Sequence, residues 1–142
     1  MDIHLTFPGG KRVEAAFGAH HVNTDQSLAH GGDGSAPEPF ELFLASLASC
    51  AGLYVLIFCQ SRNISTDGIE LVQHHHFDDA GHLERVELEI RLPPEFPDKY
   101  RAAVVRAAEG CKVSRMLAAP PKVVVTATTT ARPDDVEDVV SA

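Results

Sequence analysis

The chain of 142 residues has no tryptophan, two tyrosines and only three cysteines, Cys50, Cys59 and Cys111. Such an odd and sparse set of cysteines excludes a small scaffold held together by disulfides. Basic residues are also scarce, since 12 Lys and Arg stand against 20 Asp and Glu and give a net charge of −8. No basic cluster is longer than Lys11-Arg12, so we expect no nucleic-acid partner.

A targeting or membrane segment is also not indicated. The sequence begins with an acidic second residue and no long apolar stretch, so we expect a cytoplasmic protein with reduced thiols. The uncharged run from Leu42 to Cys59 is near the lower length limit for a membrane span. Because Ser46, Ser49 and Gly52 interrupt this run, we interpret it as a core helix and expect no membrane partner.

Hydrophobic periodicity and turn residues predict a single α+β domain over residues 1–130 and an acidic tail over 131–142. The predicted order of elements is βββ-α-ββ-α-(α)-β. The strands are predicted at 3–7, 11–17, 20–24, 69–77, 82–92 and 122–130. The helices are predicted at 39–62, 97–110 and 112–119.

The predicted long helix has mostly small side chains in its first half and bulky side chains in its second half. Pro39 suits the first turn, and Glu38 and Glu41 lie where the helix dipole favours negative charge. A helix that is apolar on all sides needs cover on all sides. One chain of this length offers few elements to cover it, so we expect a homodimer with the long helices at its centre.

The spacing of the cysteines limits their pairing. Cys50 and Cys59 are separated by about 13.5 Å along one helix and point to opposite faces. A disulfide requires Cα atoms within about 7 Å, so these two cysteines cannot pair within the helix. An intrachain disulfide would therefore join Cys111 to either Cys50 or Cys59. We interpret Cys59 as a core residue.

Cys111 has two possible interpretations. It follows the helix stop at Gly110 and precedes a short helix, where the helix N-terminus, Lys112 and Arg115 would stabilise a thiolate. Alternatively, Cys111 continues the apolar stripe of the preceding helix and is an inert core residue.

Histidines occur in pairs on two predicted strands. His74 and His76 share one strand face, and His20-His21 lie on another strand. Zinc requires three or four ligands. We therefore interpret the His74 and His76 face as a solvated strand surface and expect no metal site.

Two segments resemble signatures of the OsmC/Ohr family. Residues 36–50, APEPFELFLASLASC, resemble its helix signature, in which Pro-x-Glu-Leu-Leu and a small apolar stretch precede Ala-Ser-Cys. Residues 110–117, GCKVSRML, are similar to its second signature, Cys-Pro-Val-Ser/His followed by Leu. With the element order over 1–130, the chain resembles the broader OsmC-like branch. The resemblance implies an OsmC-like fold with a long central buried helix and an intertwined homodimer.

The resemblance also implies an activity, the thiol-dependent reduction of organic hydroperoxides. Cys50 would be the peroxidatic cysteine and Cys111 the resolving cysteine, with a dithiol reductant of the lipoyl type and no bound cofactor. The supporting residues would be Glu41 and Arg12. The peroxidases carry a glutamate where this chain has Phe40, and Glu41 matches the broader group.

Two alternatives remain open from the sequence. Glu41 would also stabilise its helix through the dipole alone, by about 0.3–1 kcal/mol. Lys112 replaces the proline that often follows the second cysteine. The alternative function is a non-catalytic OsmC-like dimeric module that binds a small apolar ligand at the subunit interface.

Overall fold

Three α-helices and two antiparallel sheets make up residues 1–129, the part of the chain that the computed structural model describes. This is the α+β class predicted from the sequence. The strands are β1 His4–Gly9, β2 Arg12–Phe17, β3 His20–Thr24, β4 Glu70–Phe77 and β5 Leu83–Arg91. The helices are α1 Pro39–Gln60, α2 Arg101–Glu109 and α3 Lys112–Ala118. The predicted acidic tail over 131–142 lies outside the described residues.

Helix α1 begins with a capping box. Glu38 is the N-cap, Pro39 takes the first helical position, and the Glu41 carboxylate accepts a hydrogen bond from the Glu38 N–H at 2.9 Å. These contacts satisfy N–H groups that have no partner within the helix. One face of α1 is buried, at Leu44, Leu47, Ala51, Val55, Phe58 and Cys59.

The core lies between α1, α2 and the inner face of the β4–β5 hairpin. Val104 and Ala108 of α2 are buried against α1, as the i, i+4 spacing predicts. Leu88 and Ile90 of β5 pack against the same cluster. Gly110 ends α2 and lets the chain turn directly into α3, so that α2 and α3 both contact α1.

The outer face of the β4–β5 hairpin is charged. His74 and His76 lie 3.5 and 3.4 Å from the carboxylates of Glu89 and Glu87 on the neighbouring strand. Within residues 1–129, no group of three or more possible ligands could hold a metal ion. The solvated strand face that the sequence indicated is therefore a row of paired side chains.

The three-stranded sheet β1–β2–β3 makes no extensive contact with a helix or with the other sheet in the described chain. Leu5 and Phe7 of β1 are exposed, although they are apolar residues on one face of a strand. This sheet therefore has an apolar surface that residues 1–129 do not cover.

The last predicted strand, over residues 122–130, is not formed in the described part of the chain, because residues 119–129 have no regular structure. Val123, Val124 and Val125 are 81%, 69% and 89% exposed. Their β-branched side chains favour a strand, but a strand also needs a hydrogen-bonded neighbour. Within residues 1–129 this segment has none.

The central helix is buried on one side only, and the single chain does not cover its other side within the described residues. Leu53 and Ile57 are 50% and 52% exposed on the opposite face. Within the described residues, α1 alone is long and apolar enough to cross a membrane. However, the face of α1 opposite Leu53 and Ile57 packs against α2 and β4 of the same chain.

The loop before α1 is organised by a buried carboxylate. Asp25 is 1% exposed and accepts hydrogen bonds from the Ser35 hydroxyl at 2.7 Å and the Ser35 N–H at 3.0 Å. These bonds, together with those from the N–H groups of Gln26 and Asp33, lower the pKa of Asp25 to about 2. A Cβ at Gly32 would overlap the Gln26 carbonyl oxygen, so the loop also requires glycine there.

We predict that Asp25→Asn lowers the melting temperature most above pH 5. The pKa of Asp25 is lower in the folded chain than its ordinary value of 3.8. Its carboxylate therefore stabilises the fold fully above that value, and the stabilisation is lost as the pH falls toward about 2. Melting curves over this pH range should converge at low pH. Asp33→Asn, at an exposed carboxylate of the same loop, is the control, and a gap that does not depend on pH would contradict the assignment.

Candidate functional site

Cys50 lies near the middle of α1, is partly exposed, and packs against the buried cluster. The hydroxyls of the two nearby serines donate to backbone carbonyls and not to the Cys50 sulfur. The Ser46 hydroxyl donates to the Phe43 carbonyl at 2.7 Å, and the Ser49 hydroxyl donates to the Ser46 carbonyl at 3.2 Å. Any polar partner of the Cys50 thiol in the described chain must therefore come from elsewhere.

Cys111 is the N-cap of α3 and is 0% exposed. Its sulfur accepts a hydrogen bond from the Ser114 N–H at 3.4 Å and lies 3.0 Å from the Ser114 hydroxyl oxygen. The two interpretations that the sequence left open are thus both correct in part. The residue is buried in the core, and its sulfur also caps a helix.

The two cysteines are adjacent. The Cys50 side chain is close enough to that of Cys111 to influence its ionisation, and it packs against the buried cluster that contains Cys111. Burial opposes ionisation of Cys111, but hydrogen bonds from the Ser114 hydroxyl, the Ser114 N–H, Cys50 and the Val113 N–H outweigh it. The pKa of the Cys111 thiol is therefore below its usual value. The lowering is due to hydrogen bonds, which include N–H groups of the helix N-terminus that the sequence indicated, and not to the charges of Lys112 and Arg115.

A second contact joins α1 and α3 one helical turn further along both helices. Arg115 donates a long hydrogen bond of 3.4 Å to the Tyr54 hydroxyl. Tyr54 is four residues after Cys50, and Arg115 is four residues after Cys111. Residues at this spacing share a helix face, so both contacts lie on the same side of α1 and of α3.

A mainly apolar cleft of about 410 Å³ is lined by residues of β5, α2, α1 and α3. Its aliphatic walls include Leu47, Val86, Leu88, Ile90 and Val105, its polar members are Glu109 and Ser114, and neither cysteine lines it. Leu47 is three residues before Cys50 on the same helix, and Ser114 contacts Cys111. The cleft could hold an apolar group close to the two thiols.

Cys59 is separate from this site. It is fully buried, and burial raises the pKa of its thiol, an effect that the nearby Arg62 offsets only in part. A neutral, enclosed thiol is a poor nucleophile. The structure therefore has Cys59 as a core residue, as the sequence predicted.

Arg12 and Glu41 are not brought to Cys50 in this chain. Arg12 lies on β2 and donates from Nε to the Gly9 carbonyl at 3.2 Å, which closes the β1–β2 turn. Glu41 serves the capping box of α1. Neither has a hydrogen bond or ion pair with either cysteine among the described residues. The helix-stabilising alternative for Glu41 is thus observed in the single chain.

Two residues at the site escaped the sequence analysis. Ser114 lies within the second signature, and its spacing of three from the N-cap Cys111 is the usual spacing for a capping contact. Tyr54 stands four residues after Cys50, which would have placed it one turn away on the same face. Nothing in the sequence indicated that Arg115 would reach Tyr54.

The fold and the site together define an α+β protein with two adjacent cysteines between its core helix and a short capped helix. The profile of the OsmC-like protein family matches residues 32–126, which is more than half of the chain, and both cysteines lie within the match. The chain belongs to this family. Membership supports a stress-response or peroxiredoxin-like role, and proteins of the family are typically dimers.

Solved structures share the fold. An osmotic-stress-induced and detoxification-response protein from Psychrobacter arcticus 273-4 aligns with a TM-score of 0.68 at 24% identity, over 80% of this chain and 85% of its own. A second structure, from structural genomics, has a TM-score of 0.68 at 18% identity, over 83% and 89%. The organic hydroperoxide resistance protein OsmC of Legionella pneumophila has a TM-score of 0.46 at 21% identity, over 82% and 89%. A comparison with curated proteins finds no match.

We predict that Ser114→Ala raises the pKa of Cys111. The substitution removes the hydroxyl that contributes most to stabilising the thiolate. The ultraviolet absorbance of the thiolate should then appear at higher pH in the variant than in the unmodified protein. Ser49→Ala is the matched control, because its hydroxyl bonds to a backbone carbonyl. An unchanged titration curve for Ser114→Ala would count against the assigned cause.

Proposed function

We propose that the protein is a thiol-dependent reductase of organic hydroperoxides, with Cys50 as the peroxidatic and Cys111 as the resolving cysteine. The observation that carries the proposal is the adjacency of these two side chains, which come from different helices. Two thiols in contact can exchange a proton and can join as a disulfide without a large movement of the backbone.

The difference in burial supports the assignment of roles. Cys50 is partly exposed, whereas Cys111 is 0% exposed. A peroxide arriving from solvent or from the cleft therefore meets Cys50 first. Cys111 has the lowered pKa, which suits a thiol that attacks an oxidised neighbour.

The reaction balances over two steps. The Cys50 thiolate attacks the distal oxygen of ROOH, the O–O bond breaks, and Cys50 becomes a sulfenic acid while RO⁻ takes a proton and leaves as ROH. The Cys111 thiolate then attacks the Cys50 sulfur, which forms the S–S bond and releases hydroxide, protonated to water. An external dithiol of the lipoyl type supplies two electrons and two protons, and restores both thiols by exchange.

The apolar cleft supports an organic substrate. Its lining is mostly aliphatic, so it favours an alkyl group over the bare hydroxyl of hydrogen peroxide. The expected setting is the reducing cytoplasm, where a dithiol reductant is present.

We also propose an intertwined homodimer. Within residues 1–129, a helix face, a sheet face and an extended segment all expose large apolar side chains. Apolar surfaces of this extent are rare in a monomer and mark sites of protein association.

Three apolar surfaces would lie in this interface. They are the face of α1 with Leu53 and Ile57, the face of β1 with Leu5 and Phe7, and the unpaired segment Val123–Val125. The free edges of the sheets offer this last segment a neighbour from a second copy. Arg12 and Glu41 of a second copy would then be the groups that approach Cys50.

The alternative is a non-catalytic dimeric module that binds a small apolar ligand. The cleft beside Ser114 is the observation in its favour, since it needs no thiol chemistry to hold a ligand. One observation distinguishes the two functions. A hydroperoxide would oxidise a cysteine of the peroxidase covalently, whereas the binding module would remain chemically unchanged by its ligand.

We predict that one equivalent of an organic hydroperoxide joins Cys50 to Cys111 within one chain. Intact mass should fall by two hydrogens, and peptide mapping should locate the bond. Cys111→Ser should react once and stop as a sulfenic acid that dimedone traps. Cys50→Ser should remove the first reaction.

Cys59→Ala is the matched control for this experiment, because Cys59 is buried away from the pair. It should form the same disulfide as the unmodified protein. If Cys111 is oxidised while Cys50 remains a free thiol, Cys111 is the peroxidatic cysteine and the assignment of roles is wrong. No change in mass would reject the peroxidase and favour the binding module.

We predict that Ile57→Glu dissociates the dimer. Ile57 is 52% exposed in the single chain, and a buried carboxylate without a partner at the interface is costly. Light scattering should show a dimer for the unmodified protein and for the control Ile57→Val, and a monomer or an aggregate for Ile57→Glu. A monomeric unmodified protein at micromolar concentration would refute the dimer.

A further inference from the structure

The peroxidatic reaction leaves one requirement that the cysteines do not meet. When the O–O bond of an alkyl hydroperoxide breaks, the leaving group is a strongly basic alkoxide, and it must gain a proton. Ser46 and Ser49 donate to backbone carbonyls, and no charged side chain lies within one turn of Cys50 on α1. The proton must therefore come from a group other than these serines.

We propose that Tyr54 is a catalytic proton donor to the leaving oxygen and that Arg115 is its positioning residue. This inference rests on the proposed peroxidase function and adds to it the residue that protonates the product alcohol. The observation that carries it is the paired contact between α1 and α3. Cys50 meets Cys111, and one turn further Tyr54 meets Arg115.

Helix geometry brings the Tyr54 hydroxyl toward the reacting sulfur. Four residues rise about 6 Å along a helix, which matches the length of a tyrosine side chain. Long side chains on a helix lean toward its N-terminus, a tendency that directs a residue at position 54 toward the turn that contains Cys50. Both residues are partly buried and pack against the same cluster.

The Arg115 contact leaves the tyrosine proton free. Arg115 donates to the Tyr54 oxygen at 3.4 Å, so the hydroxyl hydrogen of Tyr54 is available to another acceptor. The guanidinium also lies where a phenolate would form and would stabilise it. An arginine in this position draws electron density from the phenol and holds the ring in place.

The step is balanced as follows. The Cys50 thiolate takes the distal oxygen and its hydrogen from ROOH as a sulfenic acid, and the electron pair of the O–O bond goes to RO⁻. The Tyr54 hydroxyl transfers its proton to RO⁻, which leaves as ROH, because an alkoxide is far more basic than a phenolate. The phenolate, beside Arg115, regains a proton from solvent.

The test compares two oxidants that differ in their leaving group. An alkyl hydroperoxide such as tert-butyl hydroperoxide releases an alkoxide, whereas peracetic acid releases acetate, which needs no proton. We expect Tyr54→Phe to slow single-turnover oxidation of Cys50 by tert-butyl hydroperoxide about 100-fold, in line with the loss of a general acid. Oxidation by peracetic acid and alkylation of Cys50 by iodoacetamide should change less than about twofold.

Two control variants complete the design. Tyr100→Phe removes the other tyrosine of the chain, whose ring packs edge-on against Phe58, and should behave like the unmodified protein with both oxidants. Arg115→Gln should slow only the alkyl hydroperoxide reaction, with partial recovery in Arg115→Lys. Arg106→Gln, an exposed arginine on α2, should slow neither.

The outcomes separate this inference from the function on which it rests. If the unmodified protein oxidises Cys50 but Tyr54→Phe reacts as fast with tert-butyl hydroperoxide, the role of Tyr54 is overturned and the peroxidase stands. Equal slowing with both oxidants would make Tyr54 merely structural, which also overturns it. If Cys50 of the unmodified protein reacts with neither oxidant, both the function and the inference are rejected.

Discussion

The structure depends on one constraint, the need to cover a central helix that is apolar on nearly every side. The chain covers one face of α1 with α2, α3 and the β4–β5 hairpin, and it leaves Leu53 and Ile57 exposed on the other. A bare apolar helix face of this kind is rare in a monomer. Both the fold of the single chain and the proposed dimer follow from this requirement.

The same constraint shapes the chemistry of the thiols. A cysteine in an apolar helix has few polar neighbours, and desolvation opposes its thiolate. At the start of α3, hydrogen bonding offsets this desolvation for Cys111. Its N-cap position brings the N–H and the hydroxyl of Ser114 to its sulfur. The buried thiol is thus the better stabilised one, while the partly exposed thiol is the one that a substrate can reach. This separation suits a pair in which one thiol reacts first and the other resolves it.

Much of the fold could be predicted from local patterns. The five observed strands, α1 and α3 lie within two residues of their predicted bounds, because turn residues such as Gly81 and hydrophobic periodicity act locally. Helix α2 begins four residues later than predicted, at Arg101, because the first turn, Asp98–Tyr100, is a 3-10 helix. The strand over 122–130 failed for a physical reason. Its β-branched composition is a local property, whereas pairing requires a neighbouring edge that the described chain does not offer. The contact between Tyr54 and Arg115 was missed because it depends on how α1 and α3 meet.

The positions of Arg12 and Glu41 show where the polar groups of the site must come from. Glu41 already accepts a hydrogen bond in its own capping box, and a carboxylate cannot itself stabilise a thiolate. Near a cysteine of a second copy, the Glu41 carboxylate would instead hold a cation such as Arg12 in place. That arrangement would require two chains to associate. Cys111, Ser114, Tyr54 and Arg115, by contrast, meet Cys50 or its neighbours through the packing of α3 on α1 within one chain. In the proposed dimer, association would bring Arg12 and Glu41 of a second copy toward Cys50, whereas the proposed proton transfer to the product and closure of the disulfide would depend on the fold of each chain alone.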